Sequence, residues 1–180
     1  MKYRILHYGE EPLKAVSKPI EKIDDDIKRL VDDMFETMYA ANGVGLAAPQ
    51  IGKNIRVVVI DCGDDPIAMV NPRIIKMTGK ENGPEGCLSF PGLSENVTRA
   101  TKVIAEYTDP NDGEVYEIEG EGLLARAIQH ELDHLDGVVF VDRMSKARRL
   151  QIKYELELIK QGESLYEEDE ETEESPIEAK

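Results

Sequence analysis

Two histidines and a glutamate in the segment RAIQHELDHLDG, residues 126–137, have the types and the spacing of a metal site. His130 and His134 are four residues apart, so on an α-helix both imidazoles lie on one face and can bind the same ion. Glu131 lies beside them and can accept a proton from a water on that ion. The H-E-x-x-H pattern therefore indicates metal-dependent hydrolysis, but it leaves the third protein ligand of the metal open.

The residues around the motif predict a central, buried helix. Apolar side chains cover most of its circumference: Leu123, Leu124, Ala127, Ile128, Leu132 and Leu135. Gly137 is expected to end the helix. Histidines on an apolar helix are also often core residues with satisfied hydrogen bonds, so the short motif alone does not decide between a metal site and a packing role.

The two cysteines of the chain are too few for a disulfide framework. In a reducing compartment, a lone cysteine is a candidate metal ligand or nucleophile. Cys87 lies in the glycine- and proline-rich segment NGPEGCLSFPG, residues 82–92, which predicts a loop that can offer a thiolate to a metal. Cys62 follows a strand-like run, and we interpret it as a packing thiol without a chemical role.

The segment GVGLAAPQ, residues 43–50, contains two closely spaced glycines. A dinucleotide-binding fingerprint would follow a strand and begin a helix. Here the order is reversed, because a helix predicted from Asp24 to Asn42 precedes the segment and the strand-like run 55–60 follows it. The glycines are therefore interpreted as positions where the backbone approaches a ligand closely.

The order of the remaining elements predicts an α+β fold. Residues 67–76 are expected to be extended with a break at Asn71-Pro72, and residues 102–107 and 114–119 to form a hairpin leading into the H-E-x-x-H helix. The expected architecture is a set of short antiparallel sheets packed around that central buried helix, followed by a C-terminal helix.

Residues 1–162 are expected to form a single catalytic domain whose C-terminal helix spans residues 145–160 approximately. This helix has an apolar stripe, expected to dock on the domain, and a basic stripe: Leu150, Tyr154 and Leu158 in the first, Lys146, Arg149, Lys153 and Lys160 in the second. A solvated face is the favoured interpretation of the basic stripe. Contact with ribosomal RNA is the sharper alternative.

The formal net charge of −15 is concentrated at the C-terminus. Residues 163–180 contain nine Asp or Glu and one Lys, which predicts an acidic, mobile tail of charge −8 and leaves −7 for residues 1–162. This balance argues against duplex-DNA binding. No apolar run approaches the roughly 18 residues of a membrane span, and the N-terminus lacks the apolar core of a signal peptide, so a bacterial-type cytoplasmic protein without membrane contact is expected.

Three segments together resemble the signature motifs of the peptide deformylase family, in the family's order and approximate spacing: GVGLAAPQ, EGCLS and QHELDH. The resemblance covers roughly residues 1–160 and is far more specific than H-E-x-x-H alone. It implies a metal-dependent hydrolase that removes the N-formyl group from the N-terminal formylmethionine of newly made polypeptides and releases formate.

The resemblance also implies roles for the site residues. One divalent ion, usually iron(II) in this family but replaceable by nickel, cobalt or zinc, would be bound by Cys87, His130 and His134. Glu131 would be the catalytic base. The oxyanion would be stabilised by the metal, by the Gln50 side-chain amide and by the Leu88 backbone N–H.

By the same resemblance, the cleft accepts an unbranched apolar side chain and pairs the peptide backbone as an added strand. The candidate lining residues are Val44, Leu88, Leu123 and Ala127, and the candidate backbone partners are Val44–Gly45 and Glu85–Gly86. Arg126 is expected to reach the pocket rim or to pair with Glu85. Arg99 is expected to be structural, and Asp133 is expected to accept a hydrogen bond from a metal ligand or from a residue that supports one.

Two alternatives from other classes remain at this level. A zinc metalloprotease would use H-E-x-x-H with a downstream ligand, for which Glu155 is the only candidate, on a separate predicted helix. A catalytically inactive relative would bind nascent chains only, but Glu131, Gln50 and Cys87 are all present. Peptide-bond cleavage or formate release distinguishes the protease from the deformylase, and a formate assay tests the inactive alternative.

Overall fold

The structure, a computed structural model, describes residues 1–166 and has the α+β architecture that the sequence predicts. The helices and strands are α1 (Asp25–Ala40), β1 (Gly45–Ala47), β2 (Val57–Ile60), β3 (Ile67–Thr78), β4 (Glu81–Gly86), β5 (Ser94–Arg99), β6 (Lys102–Thr108), β7 (Val115–Glu121), α2 (Gly122–Leu135), α3 (Lys146–Gln151) and α4 (Lys153–Lys160). Short 3₁₀ turns span Glu11–Lys14, Ala48–Ile51 and Phe140–Arg143. Within residues 1–166, none of the helices has the length and apolar character needed to cross a membrane.

The strands form two antiparallel sheets, one of five strands in the order β1-β2-β3-β6-β7 and one of two strands, β4 and β5. Strand β2 is buried on both faces, and its alternate side chains belong to different cores. Val58 and Ile60 pack in the core that contains α2, whereas Val57 and Val59 pack in the core that contains α1. The predicted hairpin is β6–β7, and it leads directly into α2.

Helix α2, which carries the H-E-x-x-H motif, is buried against the five-stranded sheet as predicted. Ala125, Ile128 and Leu135 are fully buried in the core it shares with the sheet. Gly137 follows the helix with a positive φ of 72° and donates its N–H to the His134 carbonyl at 3.2 Å. The helix therefore holds its two histidines on a rigid support.

Helix α1 has the boundaries that the sequence predicts. The Asp24 side chain accepts hydrogen bonds from the backbone N–H groups of Asp26 and Ile27, each at 3.1 Å, and so satisfies two donors of the first turn. At the other end Asn42 has a φ of 55°, which turns the chain into the GVGLAAPQ segment. The capping and packing of α1 thus place the GVGLAAPQ segment at the edge of the five-stranded sheet.

The loop predicted for residues 82–92 is wrong in its first half. Residues Glu81–Gly86 are strand β4, which pairs with β5 from Glu81 opposite Arg99 to Gly86 opposite Ser94. Pro84 cannot donate to a ladder, but a two-stranded sheet leaves each strand with one free edge, where proline is tolerated. The irregular chain is confined to the residues that follow Gly86, including Cys87.

The C-terminal helix is also different from the prediction. It is divided into α3 and α4 at Ile152, and its buried apolar stripe is Ile152, Leu156 and Ile159. The predicted stripe was wrong, because Leu150 is 70% exposed, Tyr154 is 72% exposed and Leu158 is only half-buried. Apolar residues recur at helical spacing on both faces, so periodicity alone could not choose the docked one.

Candidate active site

Three potential metal ligands converge from two elements. Helix α2 supplies His130 and His134, and the turn after β4 supplies Cys87. The two Nε2 atoms are 3.3 Å apart, and the Cys87 Sγ is 3.3 Å from the His134 Nε2. For bond lengths of about 2.0–2.1 Å to nitrogen and 2.3 Å to sulfur, the edges of a tetrahedron are roughly 3.3 Å and 3.6 Å. The cluster therefore fits one tetrahedral divalent ion.

The two histidines have opposite pKa shifts. Burial opposes a charge on His130, but the Cys87 sulfur and the Glu85 carboxylate raise its pKa well above the ordinary value. Burial, together with the neighbouring His130, lowers the pKa of His134 well below its ordinary value. Negative charge on Cys87 and Glu85 thus favours a cation at His130, whereas burial disfavours one at His134.

Glu85 orients the His130 ring. Its Oε1 lies 2.6 Å from the His130 Nδ1, and since a carboxylate only accepts, the imidazole N–H donates. Arg99 donates to the same carboxylate at 2.6 and 3.1 Å, and Arg126 donates at 3.0 Å. Although burial opposes ionisation, the hydrogen bonds and charges of His130 and Arg99 lower the pKa of Glu85 to about 2. A carboxylate on Nδ1 turns Nε2 toward the cluster.

The contact of the Glu85 side chain with His130 was missed at the sequence level, where Glu85 was expected only to offer its backbone to the peptide or to pair with Arg126. Its position two residues before Cys87 was the available signal, since ligand histidines are often held by a carboxylate. Nothing in the spacing, however, shows that β4 lies beside α2. The expectation that Arg126 pairs with Glu85 agrees with the structure.

Arg99 connects Glu85 to a second carboxylate. Its Nη1 donates to Asp133 at 2.6 Å, and Asp133 also accepts from Arg143 at 2.7 and 3.0 Å. Asp133 is therefore connected to the cluster through Arg99 and Glu85, which is the second of the two roles expected for it, an acceptor for a residue that supports a ligand. Arg99 was expected to be structural, and its side chain is buried in this network.

Glu131 is buried beside the cluster with an unusual pKa. Burial is the main cause that raises the pKa of its carboxyl to about 7, with His130 opposing and Glu85 adding to the shift. Its Oε2 has no hydrogen-bond partner among the described residues. Gly45 provides the space for this carboxyl, because a Cβ at that position would lie 2.9 Å from the Glu131 Cδ. A carboxyl with a pKa near neutrality is suited to proton transfer.

Gln50 lies across the cluster from α2, in the 3₁₀ turn Ala48–Ile51. Its Oε1 accepts from the Ala47 backbone N–H at 2.9 Å, which fixes the orientation of the amide. Its Nε2 donates to the Ser89 hydroxyl at 3.1 Å and lies 3.5 Å from the Cys87 sulfur. Ser89 is fully buried and was not predicted, although its place in CLS next to the cysteine was a visible cue.

A cavity of about 390 Å³ opens beside these groups. The candidate site residues that line it are Val44, Gly45, Gln50, Glu85, Gly86, Cys87, Leu88, Leu123, Arg126, Ala127, His130 and Glu131. Only His134 of the predicted set is not in its wall. Leu93, Ser94 and Tyr166 also line it and were not predicted.

The remaining candidate residues lie elsewhere. Cys62 packs against the core shared by α2 and the sheet, and burial raises the pKa of its thiol. Glu155 lies on α4 and is not part of the metal-ligand cluster. In the described range 1–166, the Cys87, His130 and His134 group is the one set of three His, Cys, Asp or Glu side chains able to hold an ion.

Comparisons with known proteins give a consistent result. A family model for polypeptide deformylase matches residues 2–150. A peptide deformylase of Desulfitobacterium hafniense is 49% identical over 147 residues, which cover 82% of this chain and 97% of that protein. One from Alkalilimnicola ehrlichii is 47% identical over 163 residues, 88% of this chain and 91% of the relative. The crystal structure of a peptide deformylase from Legionella pneumophila has a TM-score of 0.84 at 43% identity, covering 89% of this chain and 96% of that one.

Proposed function

The chain belongs to the polypeptide deformylase family, and on this premise we propose that the cleft beside α2 removes the formyl group from N-terminal formylmethionine in new polypeptides. The convergence of Cys87, His130 and His134 next to the unpaired Glu131 carboxyl is the observation that carries the proposal. The enzyme is a hydrolase, and its products are formate and a peptide with a free amino terminus.

Cys87, His130 and His134 would hold one divalent metal ion. When bound, the ion lowers the pKa of a water and polarises the formyl carbonyl oxygen. Iron(II) is the proposed metal from the family resemblance, with nickel, cobalt and zinc as alternatives, because imidazole and thiolate suit several first-row ions.

Glu131 would transfer the proton. Its carboxylate accepts a proton from the water whose oxygen attacks the formyl carbon, and it returns that proton to the nitrogen when the carbon–nitrogen bond breaks. The pKa of about 7 supports both directions of this transfer near neutral pH. The unpaired Oε2 supports it further, because that atom is not committed to a structural hydrogen bond in the described chain.

Gln50 and Leu88 would stabilise the oxyanion that forms on the formyl oxygen. The Gln50 amide is held by Ala47 with its N–H groups on the Cys87 side, and Leu88 follows the cysteine in the cavity wall. A donor of this kind is worth about 2.7–4 kcal/mol of transition-state stabilisation. Ser89 would keep the Gln50 amide in place through the 3.1 Å hydrogen bond.

The methionine side chain would lie among Val44, Leu88, Leu123 and Ala127, which line the cavity. The peptide backbone would pair with Val44–Gly45 and Glu85–Gly86. Strand β1 ends the five-stranded sheet and β4 belongs to the two-stranded one, so each has an unpaired edge, and both contribute to the cavity wall. Backbone pairing is tolerant of side-chain sequence, as an enzyme acting on many nascent chains requires.

We further propose a ribosome contact for the basic stripe of α3 and α4. Lys146, Arg149, Lys153 and Lys160 line one groove of about 320 Å³. Arg149 pairs with Asp142, and Lys160 pairs with Glu157, whereas Lys146 and Lys153 have no ion pair within residues 1–166. Ribosome co-sedimentation of a K146E/K153E protein, with K76E as the exposed control on β3, tests the contact. If the K146E/K153E and K76E proteins pellet with ribosomes to the same extent, the basic stripe is a solvated face.

The cytoplasmic location and the domain boundary at residue 162 stay predictions. Residues 163–166 of the predicted tail are within the described chain, whereas residues 167–180 lie outside it.

Formate release with mass analysis of the peptide tests the proposed function. Anaerobically purified protein should release formate from a formyl-Met-Ala-Ser peptide, leave the acetyl-Met counterpart intact and cleave no peptide bond. Peptide-bond cleavage would support the metalloprotease alternative instead. Absence of formate from metal-loaded protein would support the inactive binding protein.

A further inference from the structure

Helix α2 borders a cavity on each of two faces. The face that carries Arg126 and His130 lines the catalytic cavity. The other face lines a second cavity of about 630 Å³ with residues at the spacing i, i+3, i+4, i+7 of one helix face: Gln129, Leu132, Asp133 and Asp136. Among the described residues, none lines both cavities. We name the second cavity, which lies between this face of α2 and the segment 72–80, the rear groove.

Basic side chains dominate the charge of the rear groove. Its described wall contains two carboxylates, those of Asp133 and Asp136, and five basic side chains: Arg56, Arg73, Lys80, Arg99 and Arg143. Glu85, Glu106 and Arg126 lie outside the wall but pair with these groups or with each other. When these three are included, six cations accompany four carboxylates, which is a formal charge of +2. A surplus of positive charge thus remains after the ion pairs are formed, and it favours an anion.

Several donors on these basic side chains are unused. Arg73 donates from its Nε to Glu106 at 2.8 Å, and Arg143 donates from its Nε and Nη2 to Asp133. Within residues 1–166, the Arg73 Nη1 and Nη2, the Arg143 Nη1 and the Lys80 Nζ have no hydrogen-bond partner. Guanidinium and ammonium groups are strong donors to phosphate and carboxylate oxygens. The rear groove therefore has free donors beside its surplus of positive charge.

Arg99 lies between the rear groove and the catalytic cluster. Its side chain is 5% exposed and borders the groove, while it donates to Glu85 at 2.6 and 3.1 Å. A buried guanidinium is screened by salt much less than an exposed one, so it gives the groove a persistent positive charge. A ligand in the groove would lie behind the network that orients His130 and away from the metal-ligand candidates.

The wall of the rear groove also has an apolar part. Pro72 and Leu132 are buried there, whereas Ile74 is partly exposed and Met77 is 60% exposed. Sites for small molecules typically combine apolar walls with a few polar groups that fix the orientation of the ligand. A phosphate on a small organic body matches both parts of this wall. Such a phosphate carries a charge of about −1.5 to −2 at pH 7, which balances the surplus of positive charge.

We propose that the rear groove binds a small phosphomonoester with an apolar body, such as a nucleoside monophosphate. The phosphate oxygens accept hydrogen bonds from Arg73, Lys80 and Arg143, and the organic body packs against Met77 and Leu132. This inference goes beyond the deformylase function and does not depend on it, because binding is measured without turnover.

Three related compounds test what the groove recognises. Isothermal titration calorimetry of metal-loaded protein is carried out with adenosine 5′-monophosphate, inorganic phosphate and adenosine. The monophosphate should bind about tenfold more tightly than inorganic phosphate, because its body buries apolar surface, and about tenfold more tightly than adenosine, which lacks the charge. High salt should weaken the binding of both phosphate compounds. Equal affinities for the monophosphate and either other compound, or no binding of the monophosphate, would overturn the proposal.

Two double variants with the same change of charge locate the binding site. Arg73→Gln with Lys80→Gln removes free donors from the rear groove and should raise the Kd of the monophosphate by at least about tenfold. Lys146→Gln with Lys153→Gln is the control, because these residues do not line the rear groove, and it should keep the wild-type Kd. All four side chains are exposed, so both proteins should fold. An equal rise in Kd in the two double variants would mean nonspecific attraction and would contradict the proposal.

Formate-release kinetics distinguish the rear groove from the catalytic cavity. The monophosphate should leave KM for a formyl peptide within about twofold of its normal value, because the two cavities have separate walls. Competitive inhibition that persists in the Arg73→Gln/Lys80→Gln protein would place the ligand in the catalytic cavity and overturn the inference. If no formate is released at all, the deformylase function is rejected, and calorimetry still decides the phosphate site.

Discussion

The Glu85 Oε1 lies 2.6 Å from the His130 Nδ1, so a carboxylate on the two-stranded sheet fixes an imidazole on the central helix. Arg99 donates to both oxygens of that carboxylate and joins it to Asp133. The orientation of a metal-ligand candidate is therefore determined by residues that are not ligands themselves. The network links β4, β5 and α2, because Glu85, Arg99 and His130 lie on these three elements.

Replacing Glu85 with Gln should weaken metal binding. The amide oxygen can still accept one hydrogen bond, but the ionised partner of His130 and Arg99 is lost. We expect a loss of about 10- to 100-fold in metal affinity, measured by competition with a chelator. Glu95→Gln is the control, since Glu95 lies opposite Glu85 on β5 and, among residues 1–166, forms its ion pair with Arg148. Wild-type metal affinity in Glu85→Gln would contradict the positioning role.

Removal of the Arg99 charge should destabilise the fold. Arg99→Met leaves Glu85 and Asp133 buried without their shared cation, which should cost about 3–5 kcal/mol in the free energy of unfolding. Arg148→Met, which breaks a half-exposed pair with Glu95, should cost much less, because solvent screens that pair. Urea denaturation measures the free energy of unfolding of both variants. Equal losses of this free energy would show that burial of the Arg99 ion pairs does not add to stability.

A methyl group at Gly45 should impair catalysis without removing the metal. The added Cβ would lie 2.9 Å from the Glu131 Cδ, so the carboxyl must move. We expect Gly45→Ala to lower kcat by at least about tenfold while metal content stays stoichiometric, since misplaced catalytic groups are costly. Steady-state kinetics with metal analysis checks this. An unchanged kcat would mean that the Glu131 position is not critical.

The two cysteines should respond differently to removal. Cys87→Ala should lose both bound metal and formate release, because two imidazoles alone make a weak site. Cys62→Ala should keep both, because its thiol only packs against the core, and its cost should be a small loss of stability. Metal content by elemental analysis and formate release distinguish the two. The reverse pattern would invalidate the ligand assignment.

Patterns within short stretches of the sequence predicted several helices and strands of the fold. The buried α2, the caps of α1 and the β6–β7 hairpin follow from periodicity, capping residues and turn residues. The order of the three motifs indicated the family before any contact was known. Each of these signals lies within about ten to twenty neighbouring residues, where spacing determines geometry.

The features that were missed depend on contacts between distant segments. Glu85 and His130 are 45 residues apart, and no periodicity connects them. Pro84 concealed strand β4, because only the pairing with β5 shows that the strand has a free edge. The docked face of α4 is set by the cluster around Phe90 and Phe140, which the helix sequence does not reveal. The approach of Tyr166 to the cleft depends on the same cluster.

Glu131→Gln tests the central claim most directly, because it preserves the size of the side chain and removes its ability to accept a proton. The variant should bind metal with the wild-type stoichiometry while kcat for formate release falls by about 10²- to 10⁴-fold. Metal content and turnover are measured on the same anaerobic preparation. Near-wild-type turnover by metal-loaded Glu131→Gln would contradict the account.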